Sequence, residues 1–182
     1  MTEPAPGSGA EAEPMLPAAE SMPPAAEPVR PTHYGKYILT EDRMPPMPPA
    51  MAEAMERQAK EGRVLDRTLL LGIMDSIVPG CSLFVGCEVL WGLPNGLPVE
   101  IELPHSHDFD EVIGFVGTDR TRPRELGGEL EFLIGGERHT LTQTCLIFVP
   151  KGVEHCPITI KSVSTPIVMF EAANDPEYKK VF

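Results

Sequence analysis

From Leu65 onward the chain alternates short runs of branched and aromatic residues with clusters of turn-forming ones. Leu69 to Met74, Ser82 to Trp91, Val99 to Leu103, Val112 to Val116, Glu129 to Ile134, His139 to Leu141, Leu146 to Val149, Ile158 to Ile160 and Ile167 to Glu171 each read as a strand. Pro79-Gly80, Pro94-Asn95-Gly96, Gly127-Gly128, Gly135-Gly136 and Pro150-Lys151-Gly152 read as reversals between them. Only one stretch upstream has helical spacing, Met51 to Lys60, with Pro49 in its first turn, Gly62 just past its end, and Met51, Met55 and Ala59 on one stripe. Many short strands with a single helix predict an all-β sandwich or barrel.

Composition divides the 182 residues into three parts. Residues 1–30 hold seven of the 21 prolines and no aromatic residue, so they cannot bury enough apolar surface to fold and are expected to be a disordered Pro/Ala-rich tail. Residues 31–64 read as an N-terminal arm and the short helix, with Tyr34 to Leu39 forming a strand or an arm against the barrel. Residues 65–182 carry the barrel.

Acidic residues outnumber basic ones 27 to 15, giving a net charge of −12, and the excess is not confined to the tail. That balance repels phosphate backbones and anionic lipid surfaces, which argues against nucleic acid and membrane as partners. No apolar run approaches the roughly 20 residues that span a bilayer, and no signal-peptide pattern opens the chain, so a cytoplasmic location is expected. Cys81, Cys87, Cys145 and Cys156 lack paired CxxC spacing and read as reduced, buried side chains.

The chemistry concentrates in Pro104-His105-Ser106-His107-Asp108-Phe109-Asp110-Glu111. Residues two apart on a strand share a face, so the imidazoles of His105 and His107 converge. A fully extended chain would carry Glu111 about 13 Å beyond His107. A turn through Asp108-Phe109-Asp110 brings it back, and aspartates suit such a turn because their carboxylates bond to nearby backbone amides. A third imidazole, His155, follows the Pro150-Lys151-Gly152 turn and opens another strand.

HxHxxxE followed about forty residues later by PxGxxH resembles the two motifs of the cupin superfamily. The glycine-containing segment from Gly128 to Leu141 is similar to the hairpin between those motifs. The resemblance implies a double-stranded β-helix, a jelly-roll barrel, whose neighbouring strands bring His105, His107, Glu111 and His155 onto one divalent metal ion. The match departs from the usual motifs at Val99, Gly117, Thr144, Cys145 and Thr159, none of them a ligand position. Three neutral imidazoles and a carboxylate suit iron, manganese, nickel or zinc. Four protein ligands on an ion that accepts six leave two positions for substrate, water or dioxygen, a catalytic layout.

The resemblance thus implies a metal-dependent enzyme acting on a small organic molecule, with an Fe(II) dioxygenase as the leading expectation. The alternatives are an oxygen-independent decarboxylase, isomerase or lyase, and a non-catalytic barrel that binds a small molecule. No catalytic residue beyond the ligands is assigned. Glu129 and Glu131 either line the cavity or face away from it, and Phe109, Phe115, Phe132, Phe148 and Trp91 are candidates for an apolar wall. His139 in the hairpin and His33 in the arm read as structural, although a His33 or Tyr34 arm folded over the barrel mouth is a second reading. A homodimer is expected, with the Tyr34 to Leu39 arm paired to a neighbour's sheet edge.

Overall fold

The computed structural model describes residues 33–181, so the expected disordered tail over residues 1–30 lies outside the described residues. Nine strands follow one helix: α1 (Pro49–Lys60), β1 (Asp66–Ile73), β2 (Phe84–Gly92), β3 (Val99–Ile101), β4 (Glu111–Gly117), β5 (Glu125–Ile134), β6 (Glu137–Gln143), β7 (Cys145–Val149), β8 (His155–Val163) and β9 (Ile167–Ala173). They form two antiparallel sheets, ordered β1-β2-β9-β4-β7 and β3-β8-β5-β6. Apart from the β1–β2 and β5–β6 hairpins, consecutive strands cross between the sheets, closing a jelly-roll barrel. Among the described residues no helix is long and apolar enough to cross a membrane.

Strand parity builds the core. Ile113 and Phe115 on β4, Leu126, Leu130 and Phe132 on β5, Ile158 and Ile160 on β8 and Ile167 and Met169 on β9 all face inward and are buried. Each such side chain contributes about 1.5–3 kcal/mol by leaving water.

Gly127-Gly128 is not a reversal. It lies inside β5, where the pairing register shifts and Gly127 takes φ +76°. The Gly127 carbonyl there accepts bonds from the Ser164 and Thr165 amides at 2.7 and 3.0 Å, and the Thr165 hydroxyl occupies the space a side chain would need. The glycines therefore mark a bulge rather than a turn. Gly135-Gly136 does make the β5–β6 turn, with φ +57° and +81°, as a tight hairpin between two twisted strands requires.

The helix buries Met51 and partly buries Ala54, Met55 and Gln58, while Ala59 of the expected stripe is exposed. Gln58 replaces it on the packed face: its amide donates to the Glu100 carbonyl and accepts from the Glu100 amide, both at 2.8 Å, docking α1 on the free side of β3. The Tyr34 to Leu39 stretch is neither a strand nor packed on the barrel. It holds a 3₁₀ turn over Gly35–Tyr37 with Tyr34, Tyr37 and Ile38 exposed. Residues farther along the arm, Met44 to Met51, cover the barrel instead. The Met44 side chain fills the space left by Gly72, where an added Cβ would collide with it.

Candidate metal centre

The structure brings the four predicted residues together, and all are buried, between 1% and 2% exposed. His105 and His155 face each other as a bridge between extended segments, exchanging backbone hydrogen bonds of 3.1 and 3.0 Å. On the other side of the same segment, Ser106 exchanges backbone bonds with Val181. The chain bends at Asp108-Phe109 but does not make a hairpin. It changes sheet, and Glu111 opens β4 across from the histidines. Asp110 locks the bend, as expected of a turn residue: its carboxylate accepts the Lys151 amide at 3.0 Å, and the Gly152 amide reaches the His107 carbonyl at 2.6 Å. The two motif loops are thereby tied to each other.

Donor atoms of His107, Glu111 and His155 lie within 4.8 Å of one another, and His105 joins through His155, its ring centroid 4.3 Å away. Each imidazole is oriented from behind. His105 Nδ1 lies 2.7 Å from the Leu103 carbonyl, His107 Nδ1 2.7 Å from the Phe109 carbonyl, and His155 Nδ1 3.0 Å from the Val153 carbonyl. A carbonyl only accepts, so each Nδ1 carries a proton, and Nε2 is the nitrogen whose lone pair a neutral ring turns toward the group. Burial brings the His105 pKa down to about 4, which keeps that ring neutral. Phe109 stacks on His107 at 4.0 Å and fixes its plane.

These donors fit a metal. His107 Nε2 and His155 Nε2 lie 3.1 and 3.2 Å from the same Glu111 oxygen, and His155 Nε2 is buried without a hydrogen bond. That range suits an N–H···O bond from a protonated ring, and equally three donor atoms gathered on one cation. Donors about 2.1 Å from one ion and at right angles are about 3.0 Å apart, close to the spacing seen. Burial pushes the Glu111 carboxyl up, but its contacts with His155, Tyr178 and His107 outweigh it and hold the pKa near 2, so the group is an anion. Cys156 forms a second donor group with His105 and His155. Burial drives its thiol far above the usual range, and a protonated thiol is a weak ligand. The other three cysteines are half-buried rather than buried, and all four are free.

Sequence reasoning missed Tyr178. Its hydroxyl donates to the second Glu111 oxygen, and its ring stacks on Phe84 at 4.1 Å. It belongs to the segment after β9, Asp175 to Lys180, whose polar character resembles a tail and carries no periodicity. A hydroxyl that orients a ligating carboxylate typically changes metal affinity 10- to 100-fold. Tyr178→Phe is expected to raise the metal dissociation constant roughly tenfold, measured by competition with a chromogenic chelator. An unchanged constant would show that the hydroxyl has no hold on the site.

A cavity of about 420 Å³ lies inside the barrel beside this group, roofed by Met44 to Met51 of the arm. The four donors do not line it. Tyr178 does, and stands between the cavity and Glu111. The remaining expectations sort by side-chain direction. Glu129 is exposed, and Glu131 pairs outward with Arg138 and Lys161 at 2.9 and 3.0 Å. Phe109, Phe115 and Phe132 are buried, whereas Trp91 and Phe148 face solvent and form no wall. Trp91 instead donates to the Thr68 hydroxyl at 2.9 Å. His139 is exposed on the hairpin near Glu137, and His33 packs edge-on against Tyr34 away from the barrel mouth.

Strand order defines a jelly-roll barrel of two antiparallel sheets, and the donor set is one that could hold a metal ion. No family model and no curated protein matches the chain. Among solved structures it is similar to a recombinant oxalate oxidase in complex with glycolate, at 14% identity and a TM-score of 0.45, over 81% of this chain and 63% of that one. A second oxalate oxidase structure is similar at 16% identity and a TM-score of 0.42, over 64% of this chain and 54% of that one. A cupin-2 domain from Rhodospirillum rubrum is similar at 12% identity and a TM-score of 0.40, over 66% of each chain. The chain thus spans little more than half of the oxalate oxidase chains it matches.

Proposed function

We propose that this chain is a metal-dependent enzyme acting on a small organic molecule, with His105, His107, Glu111 and His155 holding one divalent ion. The observation that carries the proposal is the orientation of the imidazoles: three Nδ1 groups bonded to carbonyls turn three Nε2 atoms toward a buried carboxylate, next to a cavity. When bound, such an ion supplies Lewis acidity toward an oxygen of the substrate.

The chain's own groups do the rest. Glu111 compensates the ion's charge, Tyr178 orients Glu111, and the methionine-rich arm lines one side of the cavity with apolar side chains. The iron dioxygenase expected from the resemblance remains within this proposal, since the donor set suits iron. The oxygen-independent class, a decarboxylase, isomerase or lyase, has a specific observation in its favour: Tyr178 and Glu171, two side chains able to carry a proton, both line the cavity. Elemental analysis of chain purified without added metal or chelator tests the proposal. About one equivalent of iron, manganese, nickel or zinc is expected. No metal, even after reconstitution with each ion, would leave a non-catalytic binding barrel as the better account. Turnover that survives strict anaerobiosis would select the oxygen-independent class.

A further inference from the structure

The cavity owes its existence to one row of inward positions across the five-stranded sheet. Read from β1 to β4 through the pairing register, that row is Gly72, Gly86, Glu171 and Ile113. Met44 fills the space at Gly72, whereas at Gly86 only the edge of the Phe84 ring comes near, 3.3 Å from where a Cβ would stand, and Gly86 lines the cavity directly beside Glu171. Two glycines followed by a carboxyl along an inward-facing row are unusual, because an inward position on a barrel strand ordinarily carries an apolar side chain.

The surrounding charges are already committed. Lys180 pairs with Glu102, and Arg67 with Glu88 at 3.3 Å. Among the described residues the Glu171 side chain makes no hydrogen bond or ion pair, and its carboxyl lines the cavity together with Met74, Phe84 and Met169. An uncompensated carboxyl in such a place is costly unless a ligand completes it.

We infer that Glu171 is the specificity group of this chamber, selecting a small, mainly apolar molecule that presents an oxygen acceptor, a carbonyl or carboxylic acid, to β9. This rests on reading the chamber as the substrate site. Burial, reinforced by the nearby Glu102, Glu111 and Glu88 carboxylates and opposed by Lys180, raises the Glu171 pKa to about 8. The shift favours the protonated carboxyl, which acts as a hydrogen-bond donor. An oxygen acceptor meets that donor, whereas an ammonium ion would have to displace the proton and lose its hydration against apolar walls.

Two probes of the same shape isolate the hydrogen bond: acetophenone, which has the carbonyl, and ethylbenzene, which lacks it. Each is titrated into the full-length, chelator-treated chain labelled at its methionine methyl groups, with Met44, Met74 and Met169 reporting from the chamber. Both probes should shift those three signals, and acetophenone should bind about tenfold more tightly. Glu171→Gln, which keeps a donor, should preserve that preference, and Glu171→Leu should erase it while binding ethylbenzene at least as well. Equal affinity of the parent for the two probes, a preference that survives Glu171→Leu, or shifts confined to methionines outside the chamber would each overturn the assignment. The titrations contain no metal, so a chain that takes up no ion would fail the reading of the metal centre and leave this test intact.

Discussion

His107→Ala is expected to abolish the stabilisation that zinc gives this chain. A ligand that binds only the folded state stabilises it by about 4 kcal/mol at a thousandfold excess over its dissociation constant. For a domain of this size that corresponds to roughly 10 °C in melting temperature. The variant removes one of the two nitrogens that abut the Glu111 oxygen. The remaining donors then lose both a bond and the geometry that Phe109 imposes by stacking on His107. Thermal melts of parent and variant, with zinc and with excess chelator, decide the matter. A zinc-dependent rise in the parent alone supports the site. Equal responses, or none in either protein, would show that these four residues do not act together on a metal.

The largest effect on the fold itself is expected from Phe132→Ala, a loss of about 3–5 kcal/mol. Phe132 is 1% exposed. On β5 it lies opposite Ile158 of β8 and His139 of β6, so its ring sits within the four-stranded sheet's inner layer. That ring also lies 6.4 Å from the His155 imidazole. Truncation leaves a void that the neighbouring strands cannot close, because their own inward residues are fixed by the sheet register. Urea titration should show a midpoint lowered without a change in slope. A cost below about 1 kcal/mol would mean that the barrel repacks around the site, and that His155 is not held by a rigid layer beneath it.

The strands were legible because turn residues and branched runs alternate so regularly after Leu65, and the four candidate ligands because three histidines and a glutamate stand at motif spacing. What remained hidden followed from two physical causes. In Cys145–Val149 every residue is apolar, so no alternation reveals which side faces inward, and Phe148 was therefore as good a core candidate as Val149. Tyr178 reaches Glu111 from 67 residues away, a contact made by a segment with no regular structure to extrapolate. Glu171 was different. It shares parity with Ile167 and Met169 on β9, and a carboxyl at the third inward position of an otherwise apolar strand was a signal present in the sequence.

The docking of Gln58 on β3 bears on how the free edge of this sheet is covered. A sheet that ends in an uncovered strand offers a template on which another chain can extend it. At Glu100 the side-chain amide of Gln58 supplies one donor and one acceptor, the same pair of groups a further strand would bring. Arg63, just past the helix, adds a bond to the Pro98 carbonyl at 2.8 Å. The helix therefore behaves as a surrogate neighbour, occupying in peptide-like fashion the place where a β-addition would begin. Cutting the chain between the helix and the barrel would expose a growth point, and aggregation by edge-to-edge pairing would follow from that side of the molecule.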